Sequence, residues 1–157
     1  MQLDPPYIHR RNVAERAIQT FKHHFIAGLA SASASFPLSL WYRLLQQATM
    51  TLNMLRTRNI DSTKSAYEEV YGRFDYNTTP LVPPGSKATV HRKPNQRTSW
   101  GTHGVTGYCI GPAMMHYRSL TFYLPRSGGE CTSDTSAIYP NGTQIPVCYQ
   151  LSRDRNS

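Results

Sequence analysis

The sequence predicts an α+β chain, helices first and strands after. Apolar residues recur at the helical period up to about residue 75, short β-branched and aromatic segments follow from about 85 to 140, and the Pro-rich stretch TTPLVPPG stands between them. The expected organisation is a helical unit over residues 1–78, a small β-barrel-like or meander unit over 79–140, and a polar, disordered tail over 141–157. With 157 residues the chain is long enough for a modest core without disulfides.

Each element has a local reason. Asn12 is a side-chain cap for a first helix whose apolar positions Ala14, Ala17, Ile18, Phe21, Phe25 and Leu29 follow the helical period, with Gly28 and SASAS ending it. In FPLSLWYRLLQQATMTLNMLR, Pro37 suits a first turn, and Trp41, Leu44, Leu45, Ala48, Leu52 and Leu55 form an apolar stripe that reads as core. SAYEEVYG is a short third helix stopped at Gly72. SKATVHRK, GVTGYCIGPA, SLTFYLP and ECTSDTSAIYP are the expected strands. Trp100 is read as barrel wall in preference to a stacking residue, and no internal repeat is present.

The net charge of +8 and sequence pI near 9.7 favour a polyanionic partner, nucleic acid first. No acidic residue lies between Asp75 and Glu130, whereas Lys87, Arg92, Lys93, Arg97, Arg118 and Arg126 do, so the strand unit is the more basic. The chain has no long apolar run and no signal-peptide pattern at Met1, so a soluble, intracellular protein is expected, nuclear if its source is eukaryotic. Cys109, Cys131 and Cys148 are widely spaced and read as free thiols. The histidines show no ligand spacing.

One carboxylate stands out. Glu15 lies in the otherwise basic run RRNVAERAIQTFKHHF. Asn12 followed three residues later by Glu15 has capping-box spacing, in which the glutamate reaches back to the cap amide. At about 3.6 residues per turn Glu15, Gln19 and Lys22 share one polar face. A cap, a solvated face and one member of a metal-binding set all fit this pattern.

NVAERAIQTFKHHF, then LWYRLLQQATMTLNMLRTR, then SAYEEVYGRF resembles, in order and spacing, the C-terminal part of the integrase catalytic core of retroviruses and long-terminal-repeat retrotransposons. GSKATVHRKPNQRTSWGTHGVTGYCIGP with the later YRSLTFYLP resembles the small barrel that follows that core in copia-type polyproteins. The resemblance implies helices from the end of a ribonuclease-H-like core, followed by a small all-β barrel-like domain. It implies Glu15 as the last of three acidic residues that hold two Mg²⁺ ions for phosphodiester transfer, hence a catalytic and metal-ligating role. Lys22 matches a DNA-contacting basic position, and Gln19 stands where some relatives carry lysine. Arg16 completes the helical set, with Lys87, Arg92, Lys93 and Arg97 as the barrel's candidate nucleic-acid contacts.

The chain departs from that family upstream. Only eleven residues precede Asn12, Asp4 is too near Glu15 to match either aspartate, and Asp61 and Asp75 follow the glutamate. One carboxylate cannot fix two Mg²⁺ ions. The expectation is therefore a segment of an integrase, inactive in strand transfer alone and binding no Mg²⁺ alone. DNA and further integrase chains are the expected partners, with neither a membrane nor a small-molecule substrate. The alternative is a non-enzymatic basic module for nucleic acid or protein, built on residues 85–140.

Overall fold

In the computed structural model, residues 12–57, 63–92 and 99–140 are described. The expected tail at 141–157 and the residues Lys93, Arg97, Asp4, Asp61 and Cys148 lie outside them.

The first helix, α1, spans Val13–Ala30. Asn12 has an extended backbone, and its side-chain oxygen accepts hydrogen bonds from the N–H groups of Ala14 at 3.0 Å and Glu15 at 3.3 Å. Two of the donors that every helix start leaves unpaired are thereby satisfied. The helix ends at Ser31, the first residue of SASAS, as the sequence suggests, and the Ser31 hydroxyl donates to the Gly28 carbonyl at 2.7 Å, with Gly28 itself still inside the helix.

The second helical run is divided. Leu38–Leu44 forms a 3₁₀ helix that continues into α2, Leu45–Leu55. In a 3₁₀ helix residues three apart eclipse. Leu40 and Arg43 consequently lie on one side of it, with Leu40 packed beside Phe36, Leu44 and Tyr108, and Arg43 over the Tyr123 ring. Of the expected apolar stripe, Leu44, Ala48 and Leu52 are buried, but Leu55 is exposed and Trp41 half-exposed against the edge of Phe25. Helix α3, Ala66–Tyr71, is capped by the Ser65 hydroxyl and ends at Gly72, where φ is +80°. That backbone region suits glycine, as its sequence position suggests.

Five antiparallel strands follow: β1 Lys87–His91, β2 Gly104–Pro112, β3 Leu120–Leu124, β4 Gly129–Ser133 and β5 Ser136–Tyr139. The segment ECTSDTSAIYP, expected as one strand, is two, because the chain turns at Asp134 and Thr135, where the Ser133 hydroxyl donates to the Thr135 carbonyl. The sheet order is β4-β3-β2-β1-β5.

This order forces curvature. In a flat sheet β4 and β5 would stand four strand spacings apart, roughly 19 Å. Only Asp134 and Thr135 join them, a reach of about 11 Å at most. The sheet therefore curls, so that its inner face closes on itself. A register shift between Cys109 and Gly111, opposite Phe122 and Thr121, adds local bend.

Alternation along the strands then sorts the side chains. Inward lie Ala88, Val90, Cys109, Leu120, Phe122 and Ile138, packed together and joined by Val82. Outward, Tyr108 and Tyr123 stand opposite each other on β2 and β3 and meet the helices. Phe36 packs edge-on against Tyr108 at 5.6 Å between ring centroids, and the Tyr108 hydroxyl donates to the Ser35 carbonyl at 2.8 Å. Arg43 forms an ion pair with Glu130 of β4. From α2, the Gln47 amide donates to the Val82 carbonyl at 2.6 Å. The 3₁₀ helix and α2 thus meet the outer face of the sheet, and α1 and α3 pack on α2.

Candidate nucleic-acid interface

The candidate residues of the first helix stand on one rigid element. Arg16, Gln19 and Lys22 are exposed and Glu15 is half-buried. The opposite side of α1 is what holds it in place: His24 Nε2 lies 2.9 Å from the Thr51 hydroxyl on α2, and Phe25 meets Trp41. No residue of α1 is buried. The apolar positions of its first half find no cover among the described residues, with Val13 71% and Ile18 67% exposed. The periodicity of Ala14, Ala17 and Ile18 identified a helix, but the cover that such a stripe normally finds is present only from Phe21 onward.

Does this arrangement suit a pair of Mg²⁺ ions? Such ions need several hard oxygen ligands converging on one point. Among the described residues no three acidic, histidine or cysteine side chains converge in that way. Asp75 is committed elsewhere: it accepts from the Asn77 N–H at 2.8 Å and from the Thr78 hydroxyl, and these bonds hold its carboxyl below the usual range, Thr78 contributing most. Among the described residues Glu15 is therefore not part of a ligand cluster of the kind a two-ion centre needs.

The strand unit's candidates form a second set. Lys87 is exposed on the outer side of β1, in register with Tyr108 on one side and Tyr139 on the other. Arg92 follows β1 directly and its N–H donates to the His103 carbonyl at 2.9 Å. Lys93 and Arg97 lie outside the described residues.

The curl creates a feature that no spacing in the sequence announces. A broad open groove of about 1040 Å³ runs across the curled sheet, with Val90, Val105, Leu124 and Cys131 along it. His91, Arg92, His116 and Arg126 also line it. These four come from β1 and the residue after it, the β2–β3 connection and the β3–β4 turn, so only the tertiary fold brings them together. Arg126 was visible in the sequence as part of an acid-free window, whereas His116 carried no signal.

Trp100 corrects an expectation. It is fully exposed and forms no part of a barrel wall. Met115 and Tyr117, in the β2–β3 connection, are also exposed, at 92% and 69%.

A scan of protein-family models and searches of curated proteins and of solved structures return no match to this chain. No helix among the described residues is long and apolar enough to cross a membrane.

Proposed function

We propose that this chain is a segment of a retrotransposon-type integrase that contacts nucleic acid and does not catalyse strand transfer by itself. The observation that carries the proposal is the first helix. Its apolar first half is uncovered among the described residues, as expected of a helix belonging to a larger core, and the same helix holds Arg16, Gln19 and Lys22 exposed beside Glu15. Support also comes from charge: the stretch between Asp75 and Glu130 holds six Lys or Arg side chains and no carboxylate. In the intact family Mg²⁺ would be the cofactor. Among the described residues no group of three acidic, histidine or cysteine side chains could hold such ions, and the position of Glu15 suits a first-turn carboxylate at the positive end of a helix.

The test is a salt titration of duplex DNA binding by the whole chain. Affinity should fall steeply with salt, and Lys22→Ala should weaken binding and reduce the logarithmic salt slope by about 1 if that side chain meets a phosphate. Mg²⁺-dependent strand transfer by the chain alone, lost in Glu15→Gln, would overturn the inactivity.

The non-enzymatic module is the second reading, favoured by the groove and by the basic composition of the strand unit. It predicts that Lys87→Ala and Arg126→Ala weaken binding while Lys22→Ala leaves it unchanged.

A further inference from the structure

We propose that the groove across the curled sheet binds an unpaired nucleic-acid strand, with Arg126, Arg92 and the two histidines meeting phosphates and Trp100 and Tyr117 stacking on bases. The inference rests on the nucleic-acid reading above and adds which form of nucleic acid is bound, and where.

Three observations carry it. First, the groove sets apolar side chains, Val90, Val105, Leu124 and Cys131, among hydroxyl and cationic ones. A duplex presents phosphates outward and keeps its bases stacked, so the apolar side chains give it nothing to contact. An unpaired strand offers both a flat apolar base and an adjacent charge. Second, the groove's volume of about 1040 Å³ lies just above the roughly 300–1,000 Å³ range of ligand sites, enough for a base together with its flanking phosphate. Asp134 is the only carboxylate along it among the described residues, so the balance of charge favours an anion.

Third, the two connections that supply Arg92 and His116 to the groove also carry Trp100, fully exposed, and Tyr117, 69% exposed. A fully solvated tryptophan gains nothing from burial in the fold. Carried on the connection that supplies Arg92, an exposed ring offers a stacking surface, and single-strand binders combine a basic track with exposed aromatic rings.

The two tryptophans of the chain make the test direct. Trp41 packs on Phe25, whereas Trp100 is solvated, so quenching of fluorescence on adding an oligothymidylate reports chiefly on Trp100. The expected result is quenching with affinity for the oligothymidylate above that for a duplex of equal length. Trp100→Ala should weaken binding, read by anisotropy of a labelled oligonucleotide, about tenfold. Arg126→Glu should weaken it further. Both sites are exposed, and an unchanged circular dichroism spectrum verifies the fold. Bound strand should also slow alkylation of Cys131, which lies in the groove.

Duplex bound as tightly as single strand, with neither substitution having an effect, would overturn the inference and leave general nucleic-acid binding standing. A single-strand preference that survives both substitutions overturns it too, since the strand would then lie elsewhere. Absence of binding to either form at low salt, or capture of a Glu-rich peptide in place of the oligonucleotide, defeats this inference and the nucleic-acid reading together.

Discussion

Cys109 shows how one residue's chemistry is set by its place in the curled sheet. It sits on β2 facing inward, has no exposed surface, and packs with Phe122 and Ile138. Burial disfavours the thiolate and pushes its pKa up to about 12 from an ordinary 9.0. Between those values the unfolded thiol loses its proton while the native one keeps it. The unfolded state then binds fewer protons, so stability falls as pH rises through that window, by up to about 1.4 kcal/mol per pH unit; below it the group contributes no pH dependence. Urea unfolding from pH 8 to 11 should show this extra loss in the native chain and not in Cys109→Ala. Thiol titration at neutral pH should label the half-buried Cys131 in the folded protein and Cys109 only after unfolding. The sequence identified both as free thiols, but nothing in their spacing separated the inert one from the accessible one.

At the scale of elements, α1 depends on its cap more than a buried helix does. Without a buried residue, the helix has limited packing to hold its first turns, and Asn12 satisfies two of their amides. Asn12→Ala should cost about 0.5–2 kcal/mol, and amide exchange at Ala14 to Ala17 should accelerate while α2 stays protected. The start of α1 and the stop of α3 at Gly72 were legible because both signals act within a few residues. The division of the second helical run was not: a continuous helix fits its local pattern, and the 3₁₀ geometry aligns Leu40 and Arg43 with neighbours more than sixty residues away, Tyr108 and Tyr123. The same limit explains why the last expected strand is two, since the break at Asp134 serves the closure of the sheet.

Across the whole molecule, helices and strands are interlocked at Gly85. Its φ is +72°, its N–H donates to the Cys109 carbonyl at 2.8 Å, and its carbonyl accepts from the Ser33 N–H at 3.0 Å. A Cβ there would stand 2.6 Å from that of Ala32. Gly85→Ala therefore combines an unfavourable backbone with a clash and should cost about 1–3 kcal/mol. Because Tyr108 belongs to the sheet and packs on Phe36 and Leu44, the far-ultraviolet helical signal and the near-ultraviolet tyrosine signal should be lost in one transition, at a lower midpoint in the variant. Separate transitions would show that the two parts fold independently.

By itself the sequence determined the order of elements, helices then strands, along with the local caps and stops and the location of the positive charge. Periodicity, capping residues and the absence of carboxylates are properties of neighbouring residues, so they can be read along the chain. Only the tertiary structure decided that the sheet curls, that helices meet its outer face through Tyr108 and Tyr123, and that His91, Arg92, His116 and Arg126 line one groove. It likewise decided that the apolar stripe of α1 is covered at one end alone among the described residues. The physical reason is common to all of these: each depends on contacts between residues distant in the chain, where strand order and linker length, not local preference, fix which side chains meet.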